Sequence, residues 1–279
     1  MDRILMGNVL ENSLFVQNPG RFQELSQAVV QFNSLYNGNN IIQDDIFSVL
    51  ANYARKKQEP LELLRFPTRD DDFCALTCVK KGKIFVYINS WLPLSKQIFA
   101  AAHELYHIWC FIEKKDESVL RNGSFLNAAV IDEDGESRED REANAFAGLL
   151  LVPSNALHEQ MQIYGISRER FNLNDLIRLM AIFSVPFKAI LLRLYEEQYV
   201  NADVVCKFLD IKQEILKKNI GYEPDADRWQ RRTPDILQPG SLKRLIEQNV
   251  EYDLLVDSRA EEDQETLRRI LQRYGRYGE

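Results

Sequence analysis

Histidine is scarce in this chain, with three among 279 residues, so any site built on imidazole must use nearly all of them. Cysteine is sparse as well. Four residues, Cys74, Cys78, Cys110 and Cys206, cannot scaffold a chain of this length through disulfides, and reduced thiols in a cytoplasmic setting are expected. Cys74 and Cys78 read as strand residues rather than a second metal site. There is no excess of positive charge. A net charge of -7 supplies no basic surface for a polyanion, which argues against nucleic acid as the main partner. Long apolar runs are missing too. The opening MDRILMGNVLENSLFVQNPG is interrupted by Asp2, Arg3 and Glu11, so neither a signal peptide nor a membrane anchor is expected. Internal repeats and low-complexity tracts are absent. What is left, 45% hydrophobic and 28% charged residues, is ordinary globular composition with enough apolar material for a sizeable core.

Two of the three histidines stand four apart in His103-Glu104-Leu105-Tyr106-His107. This is the HExxH pattern of zinc metallopeptidases. At about 100° per residue, His103 and His107 lie about 40° apart on a helix, so both imidazoles can converge on one ion, with Glu104 angled beside them. Such an ion keeps an open position for water, and the glutamate can act as the general base. The surrounding stretch supports a helix. After Pro93, Ser95 to Phe111 contains no Gly or Pro and places Ile98, Ala101, Ala102, Leu105, Ile108 and Trp109 on one apolar face. The structural alternative is a core helix whose histidines bond to backbone carbonyls.

Before this helix, Gln23 to Tyr36 and Asp44 to Lys57 carry apolar residues at helical spacing around the turn-rich Asn37-Gly38-Asn39-Asn40. Asp72 to Val79 and Lys83 to Ile88 flank Lys80-Lys81-Gly82 and read as a hairpin. Its second arm, Ile84 to Ile88, reads as a core strand, as a sheet edge on which an extended peptide can pair near the metal, or as both. Residues 113 to 138 read as a polar, acidic loop with one short helix, and Ser137 to Val152 as a helix stopped by Pro153. Asn172 to Phe183 and Phe187 to Gln198 outline a helix-turn-helix whose second member is too apolar to face bases, so it is expected to pack on the core. Three helical stretches follow, near 203 to 218, 241 to 254 and 260 to 273, with a loop from Gly221 to Gly240.

An HExxH site needs a third protein ligand. No histidine lies close downstream, because the remaining one is His158. A carboxylate from a later helix, in the pattern ExxA(D/N), is the other solution. Asp140-Arg141-Glu142-Ala143-Asn144 offers it, with Glu139 and Glu142 as competitors, and Glu142 points about 160° away from Asp140 on an ideal helix. Ser137-x-x-Asp140 is also a capping-box pattern.

Here the chain resembles the ImmA/IrrE family of metallopeptidases. The resemblance is carried by FAAAHELYH, by EDREANAFAGLLLVP and by the following LNDLIRLMAIFSVPFKAILLRL, and it covers roughly residues 60 to 200. It implies an α+β, zincin-like core with a small antiparallel sheet and mostly helical flanks. The boundaries expected are 1–58, 59–200 and 201–279. It also implies Zn2+ as cofactor, His103 and His107 as ligands, Glu104 as general base and Asp140 as third ligand, where the family usually has Glu. An aspartate reaches roughly 1.5 Å less, so the two helices must approach more closely. Tyr106 stands where the family commonly has Gly, and it either narrows the cleft or packs. His158, Tyr164 and Tyr106 are candidate oxyanion donors, none of which the sequence can place at the metal. The function implied is selective cleavage of a regulatory protein, a helix-turn-helix repressor, with no direct nucleic-acid or membrane partner. A second reading is a zinc-stabilised module that sequesters a partner without cutting it.

Overall fold

The computed structural model describes residues 9–38, 40–114, 120, 123–128, 137–252 and 254–275. The chain begins with α1 (Leu14–Gln17), α2 (Pro19–Tyr36) and α3 (Ile46–Lys56). Asn18 caps α2 through a bond from the Arg21 amide, and Pro19 occupies the first helical turn, where its missing N–H costs nothing. In α3 the apolar residues Ile46, Val49, Leu50, Tyr53 and Ala54 recur at helical spacing and are all buried.

Three strands follow, β1 (Leu61–Phe66), β2 (Phe73–Lys80) and β3 (Lys83–Asn89). The β2–β3 hairpin forms as expected. Its two-residue connection has φ of 51 at Lys81 and 72 at Gly82, the left-handed pair that matches strand twist and that glycine adopts without strain. With β4 (Ser124–Asn127) and β5 (Gln238–Pro239), the strands form one sheet in the order β4-β2-β3-β1-β5. It is mixed rather than wholly antiparallel, because β1 runs parallel to β3, pairing Leu61 with Ile84 and Phe66 with Asn89. Sequence periodicity did not single out β1, whose inward row contains a charged residue. Arg65 is buried, donates to Gln97 Oε1 at 2.8 Å and stacks on the Phe47 ring. β4 lies within the stretch expected to be a loop. It has four residues and exists by pairing with β2, for instance Leu126 with Ala75. The rest of that stretch, including the short helix expected there, falls largely outside the described residues.

α4 (Leu94–Lys114) carries the HExxH pentapeptide between the sheet and α5 (Arg138–Leu151). Ile98, Ala101, Ala102, Leu105 and Ile108 are all fully buried. α6 (Ser154–Ile163), α7 (Leu173–Phe183) and α8 (Phe187–Glu196) follow. α8 buries Ala189, Ile190, Leu191 and Leu194 and packs on α5, so the helix-turn-helix outline is spent on the core. Past it the chain departs from expectation. The stretch read as one helix is two, α9 (Ala202–Leu209) and α10 (Gln213–Ile220), and the loop from Gly221 to Gly240 holds α11 (Ala226–Gln230) as well as β5. α11 forms because Trp229 is 1% exposed and anchors it, a burial that its neighbours in sequence do not signal. α12 (Leu242–Glu251) and α13 (Asp257–Gly275) complete the described residues, among which no helix is long and apolar enough to cross a membrane.

Candidate metal centre

Helical spacing puts His103 and His107 on successive turns of α4, and packing between the sheet and α5 removes both from water, at 0% and 3% exposure. Their Nε2 atoms face each other at 3.2 Å. Burial lowers the pKa of His103 to about 4 and that of His107 to about 3, so both rings are neutral near pH 7. The Nδ1 of His103 lies 2.8 Å from Asn144 Oδ1, which can only accept, so Nδ1 carries the proton and Nε2 keeps its lone pair. Neutral imidazole with Nε2 unprotonated is the form that binds a metal ion.

Asp140 comes from the first turn of α5, and its Oδ1 is 3.8 Å from His103 Nε2. One ligand atom from each of His103, His107 and Asp140 lies within 4.8 Å of the others, the group of this kind found among the described residues. Tetrahedral zinc with bonds of about 2.0–2.1 Å holds its ligand atoms about 3.3 Å apart. The donor set and spacing therefore fit a zinc ion after a small rotation of the Asp140 carboxylate. The capping pattern is present in part. The Asp140 amide donates to Ser137 Oγ at 3.0 Å, and that hydroxyl donates to Asp140 Oδ2 at 2.7 Å. The Ser137 hydroxyl caps the helix start, but Asp140 returns no bond to the Ser137 amide, so only half of the capping box forms; Oδ2 accepts from Ser137 Oγ and Oδ1 lies towards the imidazoles. Of its competitors, Glu139 is exposed and Glu142 is turned into a separate buried cluster.

Glu104 is fully buried beside this group. Its Oε1 accepts from Ser124 Oγ on β4 at 3.4 Å and the Thr77 side chain on β2 also favours its charged form, while among the described residues its Oε2 has no hydrogen-bond partner of ordinary geometry. Burial pushes its pKa up to about 8, and the nearby charge of Asp140 acts in the same direction.

The expectation that β3 serves as a substrate-pairing edge is overturned, because β3 is flanked by β2 and β1. Among the described residues, the end strand beside Glu104 is β4. None of the three candidate oxyanion donors reaches the cluster. His158 sits 3.5 Å from Glu197, Tyr164 is exposed beneath Arg178, and Tyr106 is buried and donates to Glu142. Cys74 and Cys78 lie on β2, neither of them in a disulfide. Two contributors escaped the sequence reading. Asn144 stands inside the ExxA(D/N) pattern, one turn after Asp140, and that spacing was a usable signal for a residue contacting the same histidine. Ser124 carried none, since its role depends on where β4 pairs.

The IrrE N-terminal-like domain family of peptidases matches residues 44–195, more than half of the 279-residue chain. Among solved structures, a Mycobacterium tuberculosis transcriptional regulator is similar at 17% identity and a TM-score of 0.38, over 68% of this chain and 51% of that one. No curated protein matches. With the His103–Glu104–His107 helix and the Asp140 helix both inside the matched segment, the chain belongs to the IrrE N-terminal-like peptidase family.

Proposed function

We propose that this protein is a zinc-dependent endopeptidase that cuts a regulatory protein, a helix-turn-helix repressor, and so relieves repression. The observation that carries the reading is the convergence of one ligand atom each from His103, His107 and Asp140 beside the fully buried Glu104 carboxylate. In this proposal His103, His107 and Asp140 hold the ion through Nε2, Nε2 and Oδ1. Bound there, zinc supplies Lewis acidity and a water whose pKa falls to about 7. Glu104, buried beside the three ligand atoms, would act as general base towards the attacking water and return that proton to the leaving amine. Asn144 holds the His103 tautomer. An extended substrate segment pairs with β4, which among the described residues is an end strand of the sheet, and this places its backbone beside Glu104. The repressor as substrate rests on the family resemblance.

The absence of His158, Tyr164 and Tyr106 from the cluster favours one second reading, a zinc-stabilised module that binds its partner without cutting it. Glu104→Gln separates the two. For a peptidase, this variant keeps its zinc and loses cleavage of the partner repressor by at least about 100-fold. Undiminished cleavage would refute Glu104 as the base, and an intact cellular phenotype in the variant would select the binding module.

A further inference from the structure

The helices that carry the proposed ligands are joined by a buried polar hub. Glu142, 4% exposed, lies two residues after Asp140 and on nearly the opposite side of α5. Its Oε2 accepts from Tyr106 Oη at 2.5 Å and from Arg21 Nη2 and Nε at 2.7 and 3.0 Å, and its Oε1 accepts from Arg138 Nε at 2.9 Å. Tyr106 directly precedes His107 on α4, and Arg21 belongs to α2. Three helices thus meet on one carboxylate within two residues of two proposed ligands.

A buried ion pair of this sort adds little net stability compared with apolar packing, and its effect is to fix position. Position is what an aspartate ligand requires. Having one methylene fewer than glutamate, Asp140 can approach the space between His103 and His107 only if the first turn of α5 is held against α4. Tyr106 supplies that hold from within the histidine pentapeptide, and Arg21 closes it from the other side. We propose that Glu142, with Tyr106 and Arg21, forms a positioning hub that draws the start of α5 onto α4 so that the short side chain of Asp140 completes the metal site. The proposal deepens the zinc reading above and rests on it.

The test uses the full chain, with zinc affinity measured against a chromophoric chelator and the absorption spectrum of the Co2+-loaded protein. Tyr106→Phe removes one hydroxyl and keeps the ring. It is expected to weaken zinc binding roughly 10-fold and to alter the cobalt spectrum. Adding Asp140→Glu to that variant restores both, because the extra methylene replaces the lost approach. Arg21→Gln, on a partly exposed side chain, acts in the same direction and carries the test if Tyr106→Phe does not fold. Native affinity and spectrum in folded Tyr106→Phe or Arg21→Gln would overturn the hub, as would failure of Asp140→Glu to restore them. A native chain that takes up neither metal would instead overturn the zinc reading itself.

Discussion

At the scale of single residues, removal from water does most of the tuning. His103 and His107 are neutral because burial disfavours their cationic forms, and a neutral ring still needs its proton on the correct nitrogen. Asn144 provides that selection at His103 through the 2.8 Å contact with Nδ1. Replacing it frees the ring to rotate and to change tautomer. Asn144→Ala is accordingly expected to weaken zinc binding about 10- to 100-fold while leaving the fold intact, as measured by chelator competition beside circular dichroism. Unaltered affinity would show that the contact is incidental. The histidine pair and Glu104 were legible in the sequence, since a four-residue spacing in a helix predetermines which side chains converge. Asn144 was half legible, visible as a motif letter without a partner.

At the scale of elements, α5 couples its own initiation to the site. Ser137 accepts from the Asp140 amide and donates to Asp140 Oδ2, so one hydroxyl starts the helix and orients the carboxylate. Ser137→Ala is expected to cost about 1 kcal/mol of stability and to weaken zinc binding together with it. Thermal unfolding without metal and zinc titration of the same sample check the two halves. A stability loss with unchanged zinc binding would confine Ser137 to capping. The helices, their caps and the hairpin turn followed from local pattern because each is stabilised by neighbours in sequence. β1 and β4 were illegible for opposite reasons. β1 hides its alternation behind the buried Arg65, and β4 has too few residues to show a period and depends on β2 for its hydrogen bonds.

At the scale of the whole molecule, buried apolar residues from Leu10 to Trp229 form one cluster, to which α4, the helix of His103 and His107, contributes. The N-terminal helix α2 joins this assembly through Arg21 and Glu142, an electrostatic tie with a defined pH signature. Burial raises the pKa of Glu142, but the hydrogen bonds from Arg21, Tyr106 and Arg138 more than reverse this and hold it at about 2, against an ordinary 4.5. A folded-state pKa below the unfolded value gives stability that is complete above pH 4.5 and lost as pH falls from 4.5 towards 2. The magnitude is on the order of 3 kcal/mol. Urea unfolding of the native chain and of Glu142→Gln should therefore differ most at pH 7, with the gap falling to roughly half by pH 3 and closing only below about pH 2. A gap that stays constant across this range would mean that the carboxylate is not held in its charged form by the hub.

The amino-acid sequence by itself determined that His103, Glu104 and His107 share one buried helix, that a capped acidic helix follows, and that the chain is a globular protein of a peptidase family. These properties reside in spacing and composition, and helix geometry translates spacing directly into direction. Only the tertiary structure decided that Asp140 rather than Glu139 or Glu142 faces the imidazoles, that β4 is the end strand beside Glu104 among the described residues, and that Arg21 reaches Glu142. Each of those outcomes joins residues distant along the chain, and their encounter is set by how helices and strands pack together, which no local periodicity records.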